Sequence, residues 1–383
     1  MGNTAGEVIG ALGLPDSYRK WVDELAGVEA VGCELPEAGS EAAQRLFDTV
    51  MLDERDAQEL TDLWPDRRWS DAHRWVLERL RGVISRDLGR DTGFQWPGLA
   101  DIEDDRLRCA PIFAFLSAIP ELRAWHEARG VPGEVTDATL RDIGRHIEKN
   151  RAMFGRIGLE VAFFIALQFR GYLYELGRLQ YEPLTLVTHE SVVWYTEAEA
   201  AGLPPELKPG AKAVTIHIPE GGRLDSDSVV DSLRAGRRFF AEVFGVDYPI
   251  AICTSWLLDP KLADYLRPES NIIQFQRMFT LVDPEGRREP GAVEPAQPAG
   301  RGSSPAGAGS AEAVVQPGRG SGAVAATPAY SNGDRDVFRF VFDMPRVDPD
   351  AIDPATSHER AAVDLIRSGG HWRVPTGWLR MPE

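Results

Sequence analysis

The chain has 383 residues, enough for two hydrophobic cores, and its 43% hydrophobic and 26% charged residues are those of an ordinary globular protein. A formal net charge of −17 argues against nucleic-acid binding, because a phosphate backbone is bound through clustered Lys and Arg. The three cysteines lie far apart, so we expect neither a disulfide framework nor a metal site, and a reducing, cytoplasmic compartment. The longest apolar run, Val161–Leu167, is far short of the ~20 residues of a membrane helix, so no membrane association is expected.

Residues 1–157 predict an all-helical N-terminal domain. A typical segment begins at Ser70, a good N-cap, and then places Trp75, Leu80 and Ile84 at helical spacing. No strand-like alternation interrupts this half. The predicted helices are Asp16–Gly27, Ser70–Leu88, Asp105–Leu116, Glu121–Arg129 and Thr136–Phe154.

Residues 158–383 have a different character and predict a mixed α/β domain. The apolar stretch Leu159–Leu176 predicts one long buried helix. Ser226–Phe244 is an amphipathic helix that Asp225, Ser226 or Asp227 can cap. Two shorter helices are expected at Pro260–Leu266 and Ala355–Arg367. The predicted strands are Leu179–Val187, Ala213–Ile218, Ile250–Trp256 and Asn271–Val282.

The stretch 284–333 has an unusual composition, since 33 of its 50 residues are Pro, Gly, Ala or Ser. Such a segment buries too little apolar surface to offset its ordering entropy, so we expect it to be disordered. Val337–Phe342 follows at once with a strand-like pattern. The sequence therefore predicts a β-hairpin whose turn is enlarged by this insertion.

The segment after the strand Ala213–Ile218 is the most informative for chemistry. It contains Gly221 and Gly222, which allow a tight bend with outward N–H groups, and then a capped helix whose N-terminus is electropositive. Together with Arg223 these features suit a pyrophosphate. The alternative is an ordinary strand-to-helix turn. Neither a Walker lysine nor a GxGxxG pattern is present.

A second candidate segment is the C-terminal end of the strand Ile250–Trp256, where α/β folds gather ligands. Cys253 and Ser255 lie there. A nucleophilic cysteine needs a nearby histidine, and no spacing in the sequence provides one. The alternative, which we favour, is a buried free cysteine.

Five phrases of the sequence resemble a family of bacterial proteins called acyltransferase domain-containing. These proteins pair a helical N-acyltransferase N-terminal domain with a GNAT-like C-terminal domain, which implies an α+β fold class. The resemblance covers most of the chain apart from residues 284–333. The phrases are GRLQYE (177–182), HIPEGG (217–222), SLRAGRRFF (232–240), CTSWLLDP (253–260) and ESNIIQFQRMF (269–279).

The resemblance implies a site for acetyl-CoA or another acyl-CoA. In GNAT enzymes the fourth strand splays from the fifth, the pantetheine arm lies between them, and the pyrophosphate lies on the turn before the next helix. The usual Q/R-x-x-G-x-G/A signature is replaced here by PEGGRL. The implied cofactor-binding residues are Val214, Ile216, His217, Gly221, Gly222, Arg223, Leu224, Cys253 and Ser255.

The implied reaction is direct acyl transfer to an amine, which needs a base and an acid. His217 and Glu220 are the candidate bases, and histidine suits the role because it titrates near neutral pH. Glu182 is a further candidate base, and Tyr265 is the candidate acid. Each has a structural alternative: a hydrogen-bonded residue at a strand end for His217, and packing against the sheet for Tyr265.

The sequence thus predicts an acyl-CoA-dependent N-acyltransferase whose acceptor is the amine of an unidentified small molecule or peptide. The alternative is a non-catalytic binding or scaffold protein that keeps a GNAT-like shape without CoA chemistry. Asn271 and Gln274 are expected to hold polar groups of a substrate or to begin a strand. The sequence does not indicate the oligomeric state.

Overall fold

The computed structural model describes residues 4–189, 192–283, 285–286 and 330–383. The chain divides into two compact units, Met1–Leu176 and Gly177–Glu383, which we call the helical unit and the sheet unit. None of the helices in the described ranges combines the length and the hydropathy needed to cross a membrane.

The helical unit is built around a single apolar core, to which nearly all of its helices contribute buried side chains. Most helices begin at a side chain that accepts a hydrogen bond from the first turn, as Ser70 does from the His73 N–H at 3.3 Å. The helices are α1 Ala5–Leu12, α2 Arg19–Ala26, α3 Glu41–Val50, α4 Glu54–Asp62, α5 Asp71–Asp87, α6 Asp105–Glu127, α7 Gly133–Leu140, α8 Asp142–Phe154 and α9 Ala162–Phe169.

The predicted all-helical character of this half is confirmed, but two boundaries differ from the prediction. The segments predicted as Asp105–Leu116 and Glu121–Arg129 form one helix, α6, which continues through Pro120. Buried side chains lie on both sides of that proline, and their burial outweighs the roughly 3 kcal/mol that an interior proline costs. The predicted helix Thr136–Phe154 is instead divided into α7 and α8 at Arg141.

The predicted helix Leu159–Leu176 is wrong in its second half. Helix α9 ends at Phe169, and β1 (Tyr174–Leu176) follows. Between them Gly171 has a φ of 70°, and the Trp125 ring occupies the space that a β-carbon would need. A left-handed glycine under a tryptophan ring ends the helix, which the apolar pattern alone does not indicate.

The sheet unit contains a mixed sheet in the spatial order β2–β3–β4–β6–β5. Its pairs are antiparallel except for β3 with β4, which is parallel. Helix α10 (Ser226–Phe244) links these two parallel strands, as a crossover requires. The strands are β2 Leu179–Thr185, β3 Lys212–His217, β4 Ile250–Thr254, β5 Thr280–Leu281 and β6 Thr376–Arg380.

The predicted hairpin around the insertion is wrong. The segment predicted as the strand Asn271–Val282 forms helix α11 (Asn271–Gln276) before the short β5, and the predicted strand Val337–Phe342 is part of helix α12 (Asn332–Phe342). Both helices begin at a serine N-cap. At α12 the Ser331 N–H also donates a hydrogen bond to the Asp334 carboxylate, which completes a capping box. These caps outweigh the local alternation of apolar residues.

Most of the segment predicted to be disordered, 284–333, lies outside the described residues, but Asn332 and Gly333 at its end already belong to α12. Helix α13 (Ser357–Arg367) packs with α12 in a satellite core around Trp372. The final run of the chain then enters the sheet as β6, between β4 and β5.

Candidate active site

The parallel strands β3 and β4 are paired over a short length only. The register joins Val214 to Ala251 and Thr215 to Ile252, and the ladder has no further pair within these fully described strands. Both strands nevertheless continue, β3 to His217 and β4 to Thr254. Toward their C-terminal ends, β3 and β4 are therefore no longer paired with each other in the ladder.

Each strand keeps its other neighbour beyond this point. On β3, Ile216 and His217 remain paired with β2, and on β4, Cys253 and Thr254 remain paired with β6. Each extended backbone is thus held in place from one side while the facing edge has no ladder partner. An extended ligand with amide groups, such as a pantetheine arm, can hydrogen-bond to edges of this kind.

A histidine and a carboxylate meet on one face of β2 and β3. His217 Nε2 lies 3.0 Å from Glu182 Oε2, with the Glu182 side chain 2% exposed and the His217 side chain 29% exposed. The antiparallel register places Glu182 opposite Thr215 and Gln180 opposite His217, so all four side chains share this face. This end of the face is polar, whereas Leu184 and Ala213 further along it belong to an apolar cluster.

The opposite face of the same strands packs against α10. The Tyr181 hydroxyl lies 2.9 Å from Ser232 Oγ, and Gly236 makes room for the Tyr181 ring, because a β-carbon there would come within 2.9 Å of it. Apolar packing on one face leaves the His217–Glu182 pair on the other, where chemistry can take place.

The buried Glu182 carboxylate orients the His217 ring. A buried carboxylate needs a hydrogen-bond donor, and His217 Nε2–H supplies one. In the neutral imidazole this assignment leaves Nδ1 as the proton acceptor. A histidine oriented in this way by a carboxylate has the arrangement of a general base.

The double-glycine turn between β3 and α10 is open. Gly221 and Gly222 have φ values of 78° and 70°, and no atom lies within 4 Å of a β-carbon built on Gly221. Within the described part of the chain, the N–H groups of Gly221, Gly222 and Arg223 donate to no protein acceptor. Three consecutive amide donors are therefore available to an anion at this turn.

The N-terminus of α10 itself is already occupied. Asp225 Oδ1 accepts from the Ser228 N–H at 3.0 Å and Oδ2 from the Ser228 hydroxyl at 2.8 Å, and these hydrogen bonds lower the pKa of Asp225. Glu220 and Arg223 are exposed, and Leu224 is buried. An anion at the turn would thus rely on the turn amides rather than on the end of the helix.

The remaining predicted cofactor residues are mostly in the core. Val214, Ile216 and Cys253 are nearly fully buried and contribute their side chains to the core. Burial raises the pKa of the Cys253 thiol to about 12, which excludes it as a nucleophile at neutral pH. Ser255 Oγ accepts from the Leu257 N–H at 3.2 Å and caps a turn of 3₁₀-helix.

Tyr265, the predicted acid, lies after the 3₁₀-helix Pro260–Asp264 and is 38% exposed. Its ring contact is with Trp372 at 6.0 Å between centroids, which favours the packing role. Gln274 Nε2 donates to the Pro268 carbonyl at 2.6 Å, and Asn271 begins α11.

Two models of protein families match the sequence: N-acyltransferase N-terminal domain over residues 41–171, and GNAT-like C-terminal domain over residues 173–295. An acyltransferase in complex with decanoyl-CoA and teicoplanin is similar to this chain, with a TM-score of 0.75, 27% identity, and coverage of 99% of this chain and 100% of that one. An acyltransferase in complex with CoA and 10C-teicoplanin has a TM-score of 0.75, 26% identity and the same coverage. No curated protein sequence matches.

The fold and the family matches define a GNAT-like acyltransferase. The chain carries both domains that its sequence phrases indicate, an N-acyltransferase N-terminal domain and a GNAT-like C-terminal domain. It is an acyltransferase enzyme, which the similarity to solved acyltransferases supports over a non-catalytic scaffold.

Proposed function

We propose that the protein transfers an acyl group from acyl-CoA to a primary amine, with His217 as the general base and Glu182 as the residue that orients it. The observation that carries this proposal is the early end of the β3–β4 ladder, next to the His217–Glu182 pair. The thioester arm would lie along the facing edges of the two strands. The diphosphate of the donor would lie on the amides of Gly221 and Gly222.

In this proposal the neutral amine attacks the thioester carbonyl, and His217 takes the proton that the nitrogen loses. A backbone N–H on the facing edge of β3 or β4 stabilises the negative oxygen. The carbon–sulfur bond then breaks, and the thiolate receives a proton from the His217 imidazolium or from solvent. The products are an amide and CoA.

For the acceptor, we propose an amine on a large small molecule of the glycopeptide type. Two similar acyltransferases were solved with teicoplanin or its 10C form, which supports this class of acceptor. The net charge of −17 also favours a cationic amine over an anionic acceptor. The donor bound to one of these similar structures, decanoyl-CoA, favours a medium acyl chain over acetyl.

The three free cysteines and the use of CoA favour the cytoplasm as the compartment. Fractionation of producing cells tests this placement, and recovery of the protein only from the medium would contradict it.

The activity test combines donor and acceptor panels. The purified protein is incubated with acetyl-, octanoyl- or decanoyl-CoA and either teicoplanin or the same compound with its amines blocked, while thiol release and product mass are followed. We expect thiol release that depends on the free amine, and a product heavier by the acyl group.

Three results would contradict the proposal in different ways. Absence of CoA binding up to millimolar concentration in calorimetry would overturn the donor site. Thiol release with the blocked acceptor would indicate hydrolysis rather than N-acylation. Full activity of a His217→Ala variant would overturn the assigned base.

A further inference from the structure

We propose that Arg178, outside the double-glycine turn in sequence, is the residue that positions this turn and supplies its positive charge for diphosphate binding. The inference rests on the proposed function, since it concerns how acyl-CoA is held. It assigns a role to a residue that the turn's own sequence, PEGGRL, does not contain.

Arg178 hydrogen-bonds to both ends of the turn. Its Nε donates to the Arg223 carbonyl at 3.1 Å, and its Nη1 donates to the Pro219 carbonyl at 3.0 Å. Its Nε is also the protein atom nearest to a β-carbon built on Gly222, at 3.9 Å. The planar guanidinium therefore spans the loop from Pro219 to Arg223 through two donors of fixed geometry.

The position of Arg178 is itself fixed by α10. The preceding Gly177 has a φ of 74° and lies against Ser232, with a β-carbon distance of 3.5 Å. The following Leu179 donates its N–H to Ser232 Oγ at 3.1 Å. Helix α10 thus holds the residues on both sides of Arg178, and Arg178 holds the turn that leads into α10.

This arrangement has two consequences for an anion. The carbonyls of Pro219 and Arg223 are used by Arg178, while the N–H groups of Gly221 and Gly222 between them donate to no protein acceptor within the described residues. The guanidinium also places a positive charge at a turn that carries the carboxylates of Glu220 and Asp225. Without that charge, Arg223 would be the cation left at the turn beside these two carboxylates, which disfavours a diphosphate.

The test compares donors with and without the diphosphate. Calorimetry measures the binding of CoA and of pantetheine to the wild-type protein and to Arg178→Met, Arg178→Lys and Arg234→Met variants. Arg234 is the matched control, because it is an exposed arginine on α10 paired with Asp231 at 3.3 Å. Steady-state kinetics use acyl-CoA and the corresponding acyl-pantetheine.

For Arg178→Met we expect CoA affinity to fall about 10- to 100-fold, as is usual for the loss of charge-assisted hydrogen bonds. The KM for acyl-CoA should rise by a similar factor, with kcat within about threefold of wild type. Pantetheine binding should be unchanged, Arg178→Lys should recover part of the affinity through its charge, and Arg234→Met should behave as wild type.

Different results would contradict the role of Arg178 and the proposed function. Equal CoA affinity in wild type and Arg178→Met would overturn the role of Arg178 alone. An equal loss of CoA and pantetheine binding would also overturn it, since that loss would reflect a general disturbance of the sheet unit. A wild-type protein that binds no CoA would overturn the proposed donor site and this inference together.

Discussion

Each unit of the molecule contains a partly exposed histidine beside a buried carboxylate, and the surroundings of the two histidines differ. In the helical unit, His146 Nε2 lies 3.6 Å from Asp142 and its Nδ1 lies 3.8 Å from Glu160. In the sheet unit, His217 Nε2 lies 3.0 Å from the Glu182 carboxylate.

In the helical unit, His146 belongs to a network of hydrogen bonds and ion pairs around Asp142. Arg145 and Gln168 both donate to Asp142, at 2.8 and 3.1 Å. Burial alone would lower the pKa of His146, but the carboxylates of Asp142 and Glu160 outweigh it and raise the pKa to about 9. His146 is thus held protonated at neutral pH and cannot accept a proton there.

The comparison shows that a histidine paired with a carboxylate does not by itself indicate a catalytic base. His217 differs by its greater exposure, 29% against 20%, and by its position on β3 beyond the last pair of the β3–β4 ladder. Greater exposure and a position beyond the last pair of the β3–β4 ladder separate the candidate base from the structural pair.

The largest expected effect is that of removing the His217 imidazole. A His217→Ala variant should lose about 10²- to 10⁴-fold in kcat/KM, the usual contribution of a positioned general base. The matched variant His146→Gln should keep its kcat/KM within about threefold. Initial rates of thiol release at saturating acceptor measure kcat/KM for both variants. Comparable losses in the two would mean that His217 and His146 do not differ in catalytic role.

A smaller loss is expected when the orienting carboxylate is changed. Glu182→Gln keeps the volume and the contact with His217, but it removes the charge that stabilises the imidazolium. We expect kcat to fall about 10- to 100-fold, with the KM for acyl-CoA little changed. An unchanged kcat would mean that Glu182 only fills the polar face of β2 and β3.

The helix α10 shows what the sequence determines well. Its predicted bounds, Ser226–Phe244, agree with the structure, because Asp225 caps one end, Gly245 ends the other in a left-handed conformation, and an apolar stripe lies between them. All of these signals are local. Strands β2, β3 and β4 were predicted within about two residues for the same reason.

The contacts of the candidate site are not local, and the sequence could not supply them. The bond between His217 and Glu182 joins positions 35 residues apart and depends on the register of β2 on β3. The contact of Arg178 with Pro219 spans 41 residues. The phrases GRLQYE and HIPEGG contain these residues, but only the antiparallel pairing shows that they face each other.

The protonated state of His146 gives a pH-dependent prediction for stability. Its folded pKa of about 9 lies above the unfolded value of about 6.5, so its contribution is complete below pH ~6.5 and is lost as the pH rises to ~9. At about 1.4 kcal/mol per pKa unit, this contribution is on the order of 3 kcal/mol. Urea unfolding of wild type and His146→Gln between pH 6 and 9.5 measures it.

The difference in unfolding free energy between these two proteins should shrink across that range, because other titrating groups are common to both. A difference that stays constant from pH 6 to 9.5 would show that His146 is neutral in the fold. The contrast with His217 would then rest on access alone.

The smallest expected effect is that of Cys253, which lies on β4 beyond the last pair of the β3–β4 ladder. Its thiol is 1% exposed, and burial raises its pKa to about 12, so a Cys253→Ala variant should keep kcat and the KM for acyl-CoA within about twofold. Loss of the sulfur from the core should lower the unfolding free energy by about 1–2 kcal/mol. Denaturant unfolding and initial rates on the same preparation separate the two effects. A large fall in kcat without a fall in stability would instead place the Cys253 side chain at the reacting atoms. The assignment of His217 as the group that reacts with the substrate would then have to be revised.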